Sequence, residues 1–268
     1  MNEWKSSGGR ITMFPAPVSS PSMSALELYR QVWNQDPDSF QKQANPLIPT
    51  VAQGRRGSLK AGSTAHPTRI DFTLTPSTPE EEVHGSFPLI QDTDLLHAEL
   101  LRIMEVIDQG VLLRSVVRVA LGITFLALKP SPAEANRVLT AVIPDQYGVR
   151  LTDEEDFIFQ INRPYPSRSV EGIRMNFLTK WSVDRLQILT ISLPVGGAAT
   201  PVQPSASATP QTEQFIAASV YFDINNVPTE TPLRQPSSLL REALIAIAQM
   251  QQAIGLKIEG FENAELSH

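Results

Sequence analysis

The sequence predicts an α+β domain: a mixed, mostly antiparallel sheet with helices packed on one face, long proline-rich loops and an N-terminal arm. Three observations carry this. The stretch Val111 to Leu128, VLLRSVVRVALGITFLAL, is almost unbroken apolar from Val116 onward and dense in Val, Ile and Phe, which suit a pleated, buried surface. Runs such as RIDFTLT alternate apolar and polar residues with period two. Between such runs lie helical stripes closed by turn signals, and gathering helices on one face of a sheet is the economical packing for that series.

Taken in order, residues 1–67 read as an arm. Residues 1–22 form a flexible lead, followed by a short helix Ala25–Trp33. Ser24 and Glu27 make its capping box, and Ala25, Leu28, Tyr29, Val32 and Trp33 fall at helical spacing. From Asp36 to Pro67 the chain is polar, with Pro37, Pro46 and Pro49 and a basic GRRGSLK run, and reads as a long loop or linker.

Residues 68–261 form the core domain and 262–268 a tail. Arg69–Thr75 is a strand with Ile70, Phe72 and Leu74 on one side. Thr93–Gln109 is a helix striped by Leu96, Leu100, Ile103, Met104 and Ile107 and stopped by Gly110. The apolar stretch follows as an interior strand. Ser131, Pro132 and Glu134 then start a helix that runs to about Ile143. Phe157–Asn162 and Ile173–Leu178 flank the turn residues Arg163-Pro164-Tyr165-Pro166-Ser167 as a hairpin, with a further strand over Leu186–Leu193. Residues 194–212 are a Pro/Ser/Ala-rich loop. Phe215–Ile224 is another strand, and Ser238–Ile254 a closing helix striped by Leu239, Leu240, Ala243, Leu244, Ile247, Met250 and Ile254.

Composition narrows the chemistry. A net charge of −6 argues against binding nucleic acid by bulk charge and leaves room for a local patch. The absence of cysteine removes disulfides, thiolate metal sites and cysteine nucleophiles, and is compatible with a cytoplasmic setting. No apolar signal segment opens the chain, and Arg114 and Arg118 interrupt the one long apolar run, so no membrane contact is expected. The four histidines are scattered, no phosphate-binding glycine motif precedes a helix, and no serine sits in a nucleophile elbow. The expectation is therefore no catalytic residue, no metal and no cofactor.

The polar set that points to binding is Asn162, Arg163, Arg168, Arg174, Asn176, Lys180, Trp181 and Arg185. Alternation puts Arg174, Asn176 and Lys180 on the face opposite Ile173, Met175 and Phe177. Arginine, asparagine and an aromatic ring on one exposed sheet face can fork onto phosphates or carboxylates and stack on bases.

The stretches FIFQINRP, MNFLTKWSV and the RxALG of Arg118 to Gly122 resemble a sporadically distributed family of bacterial proteins of similar length and no established function. The resemblance covers about Arg69 to Phe261. It implies a fold and a bacterial cytoplasmic setting, and no reaction.

The leading expectation is a non-enzymatic structural or adaptor subunit acting through a protein partner or a homo-oligomer, motivated by long segments able to order on a partner surface. The alternative is a nucleic-acid or nucleotide binder that uses the basic hairpin face over residues 162–185. A hydrolase with a site assembled from distant residues is the third reading.

Overall fold

The structure is a computed structural model that describes residues 4–16, 23–42, 45, 47–77, 86–110, 115–149, 151, 157–190 and 211–256. In chain order its elements are β1 (Lys5–Pro15), α1 (Ala25–Trp33), β2 (Ser39–Gln41), β3 (Thr50–Arg56), β4 (Leu59–Ala65), β5 (Ile70–Pro76) and α2 (Thr93–Asp108). Then follow β6 (Val116–Lys129), α3 (Pro132–Thr140), β7 (Ile158–Pro166), β8 (Arg174–Thr190), β9 (Gln211–Asn226) and α4 (Pro236–Ala253). The strands form one sheet in the order β2-β3-β4-β5-β1-β6-β9-β8-β7, and every pairing is antiparallel.

The expected interior strand is β6. It pairs with β1 on one side and β9 on the other, so its backbone groups are satisfied on both edges. Val119, Leu121, Ile123, Phe125 and Ala127 are buried toward the helices, each strand residue alternating to the opposite face of the sheet. The helices share that face: α1 rests on β3 and β4, α2 on β1 and β5, α3 on β6, β8 and β9, and α4 on β6, β9 and α2. Phe125 and Phe177 meet Phe222 edge-on at centroid distances of 6.1 and 5.9 Å, locking β6, β8 and β9 into one core.

Two parts of the expected arm are sheet instead. Residues 5–15 form β1, which runs between β5 and β6 with Ile11 and Met13 fully buried. Residues 39–65 hold β2 and the β3–β4 hairpin, turned at Gly57-Ser58 between the paired Arg56 and Leu59. The physical reason is a division of volume between layers. Tyr29 and Trp33 of α1 are buried against strands that present Ala52, Gly54, Ala61 and Ser63. At Gly54 a β-carbon would collide with the Tyr29 hydroxyl, so the close approach of helix and strand demands glycine there. With the bulk on the helix, these strands carry too few large apolar residues to show an alternating pattern.

The α1 capping box forms in both directions, and Asn34 closes the helix in the left-handed region at φ 49°. The two strands expected over Ile173–Leu178 and Leu186–Leu193 are one continuous β8 up to Thr190, because the alternation of Met175, Phe177, Thr179, Trp181 and Val183 never breaks. The 194–212 loop lies outside the described residues except for Gln211 and Thr212, as do the head of the apolar stretch at 111–114 and the 262–268 tail.

Candidate functional site

The hairpin set divides between two surfaces. Pairing of β8 with β7 and β9 places Asn162, Arg174, Asn176 and Lys180 on the sheet face that carries no helix. Arg163, Trp181 and Arg185 have the opposite parity, and Arg168 lies in the β7–β8 turn. Trp181 is 1% exposed and is therefore no platform for an external base. It stacks on Phe159 at 5.6 Å and lies 6.3 Å from Tyr147, whose ring also carries the Arg163 guanidinium at 5.3 Å. The hairpin is therefore not one exposed face: Trp181 packs into the core on its inner side, and Arg163, of the same parity, stays exposed there.

The helix-free face is polar and linked by hydrogen bonds. The Tyr221 hydroxyl donates to Asp223 Oδ2 at 2.9 Å, Asn225 Nδ2 donates to Asp223 Oδ1 at 2.7 Å, and Asn176 Nδ2 donates to Asn225 at 3.4 Å. The Tyr221 ring covers Gly122, where a side chain would strike it. Burial and the Asp223 carboxylate push the Tyr221 phenol up to about 12, so it is a fixed donor at neutral pH. Across the sheet, Thr12 donates to Asp71 Oδ1 at 2.7 Å and Arg69 Nε to Asp71 Oδ2 at 2.9 Å. One end of this face is covered, with Phe87 edge-on to Phe215 at 5.7 Å and Ile90 bridged to Ser6.

The second surface is a groove of about 850 Å³ on the helix side, between α4 and the β7–β8 turn. Its helical wall is Ser238, Arg241, Glu242, Ile245, Ala246, Gln249, Met250 and Ala253, spaced by three or four residues throughout. This is a second stripe of α4, distinct from Leu239, Leu240, Ala243, Leu244 and Ile247, which are buried in the core. At a rise of about 1.5 Å per residue the wall is about 22 Å long. Phe177 and Tyr165 form the opposite side.

One end of the groove is rigidly built. Glu242 accepts hydrogen bonds from the Ser167 and Ser169 hydroxyls, each at 2.7 Å, and from the Arg168 and Ser169 backbone N–H groups at 3.1 and 3.0 Å. Burial alone would raise its pKa; these bonds outweigh burial and hold the carboxyl below its ordinary value. Tyr165 is pushed up to about 12 by burial and the Glu242 charge, and its hydroxyl has no partner among the described residues. It offers the groove an unspent hydrogen bond. Arg241 leans on Asp108 at 3.4 Å, and the Ser237 hydroxyl donates to the same carboxylate.

Of the eight residues singled out from sequence, only Arg168 lines the groove. The groove stripe has a signal, since Ile245, Ala246, Met250 and Ala253 already fall at helical spacing beside the core stripe. Among the described residues no group of three His, Asp or Glu could hold a metal, and no helix is long and apolar enough to cross a membrane.

Comparison with protein-family models, with curated proteins and with solved structures returned no match for this chain. The fold and these surfaces define an α+β protein with one polar sheet face that carries no helix among the described residues and one elongated groove. The family resemblance rests on its three short stretches alone.

Proposed function

We propose that the chain is a non-enzymatic structural or adaptor subunit that works, in the cytoplasm, by taking an elongated segment of another protein into the α4 groove. The observation that carries this is the second stripe of α4: over four turns it lines a groove, with Ile245, Ala246, Met250 and Ala253 as its apolar part and Arg241, Glu242 and Gln249 as its polar part, that no element among the described residues fills. A groove about 22 Å long suits a helical or extended segment better than a compact metabolite, and its fixed end supplies polar groups that would set the segment's register. Long free segments in the first 67 residues do not carry the reading, because β1–β4 hold 28 of those residues in the sheet and α1 packs nine more against it.

A photo-crosslinking side chain placed at Gln249, which is exposed on the groove wall, tests this in the cells that make the protein. The expected result is a discrete covalent adduct that vanishes when Ala246→Trp fills the groove. An adduct mass that is a multiple of 29.5 kDa identifies a second copy, and any other mass a partner. No adduct at Gln249, or one that survives Ala246→Trp, contradicts the proposal.

A further inference from the structure

The charge of the helix-free face runs against the charge of the chain. Between the level of Phe14 and that of Tyr221, and among the described residues, its strands carry Arg10, Arg55, Lys60, Arg118, Arg174 and Lys180. The strand carboxylates there are Asp71 and Asp223, leaving an excess of four cations on a molecule whose formal net charge is −6. An acidic chain that concentrates cations on one flat surface presents a local attraction for anions that its net charge conceals.

The arrangement also has a direction. Register aligns Arg69, Phe14, Arg118, Val227 and Arg174 across five neighbouring positions. Phe14 pairs with Arg118, Arg69 precedes the Ile70 that pairs with Met13, and the Val227 N–H donates to the Arg174 carbonyl. Adjacent strands lie about 4.8 Å apart, so the three arginines recur every ~10 Å with an apolar group between each pair. Arg118 lies over the Phe14 ring at 5.1 Å, and its buried Nε has no hydrogen-bond partner among the described residues. The guanidinium is therefore held as a plane on an aromatic support. Asp71 neutralises part of Arg69, Asp223 is occupied by Tyr221 and Asn225, and Arg10 reaches the Tyr221 hydroxyl, while Arg10, Arg55, Lys60 and Arg174 are exposed and Lys180 is half-buried.

We propose that this face binds single-stranded nucleic acid, with Arg10, Arg55, Lys60, Arg174 and Lys180 on the phosphates and the Arg118–Phe14 stack against a base. Arg55 and Lys60 share a depression with Asp38, and the other cations are spread along the sheet, which suits an extended polyanion over a single phosphate. Among the described residues no helix projects from this face into a duplex groove, and a single strand can lay its bases along the sheet. The inference stands apart from the α4 groove, which lies on the opposite side of the sheet.

Fluorescence anisotropy of the full chain with a labelled oligothymidylate of about 20 nucleotides tests it, titrated at several salt concentrations. The expected result is saturable, salt-sensitive binding that falls about tenfold or more in Arg174→Glu/Lys180→Glu and again in Arg55→Glu/Lys60→Glu, at the two ends of the face. Arg137→Glu/Arg234→Glu, exposed residues outside the sheet, should leave it unchanged. No binding at low salt, or equal loss in the control pair, overturns the proposal. Binding to vesicles containing phosphatidylserine without binding to the oligonucleotide overturns it in favour of a membrane surface.

Discussion

Removal of residues 1–15 is expected to abolish cooperative thermal unfolding, followed by circular dichroism. β1 is the strand that joins β5 to β6, so its loss divides the sheet into β2–β5 and β6–β9 and leaves two open edges. It also removes Ile11 and Met13, both fully buried, from beneath α2. Burying each such side chain stabilises the fold by about 1.5–3 kcal/mol, and the unpaired backbone of two strands adds further cost. Against a typical domain stability of about 5–15 kcal/mol the sum is decisive. A truncated chain that kept the parent's transition would show that these residues hang free.

Glu242→Ala is expected to destabilise the fold by about 2–4 kcal/mol and lower Tm by about 5–15 °C. The carboxylate accepts bonds from two hydroxyls and two backbone N–H groups of the β7–β8 turn, and alanine strands them together. Charge-assisted bonds of this kind contribute about 1.5–3 kcal/mol each, discounted because water reaches the exposed side of the turn. The pH dependence has a definite sign. A carboxyl whose folded pKa is lowered contributes stability above its unfolded pKa, and that stability is lost as pH falls through the folded value. The parent's Tm should therefore drop more steeply than the variant's as pH falls below about 4.5. Parallel curves would mean that Glu242 does not anchor the turn.

The large apolar residues made most of the fold legible. β6, β9 and the helices α2 and α4 could be read because Val, Ile, Leu and Phe repeat at the period of their element. β1, β3 and β4 could not, since Gly9, Ala52, Gly54, Ala61 and Ser63 yield volume to the aromatic residues of α1 and to α2. Such strands are visible only once the helix above them is in place. The helix-free face was half legible for a related reason. Period two correctly separated Arg174, Asn176 and Lys180 from the core side of β8. It could not reveal that Arg10, Arg118, Arg55 and Lys60, far away in the chain, come up on the same side of the sheet. That depends on strand order, which no local pattern encodes. Trp181 shows the converse error, an aromatic residue near basic ones that the structure buries beside Phe159 and Tyr147.

The helix-free face and the α4 groove exist as described only if one antiparallel sheet carries its helices on a single side, with β1 threaded through its middle. Backbone hydrogen exchange over residues 9–14 of the intact chain measures that directly. The structure predicts amides protected to the level of β6, because they bond to strands on both edges and can exchange only when the whole sheet opens. Exchange there as fast as in an unstructured peptide, while β6 stays protected, would contradict it.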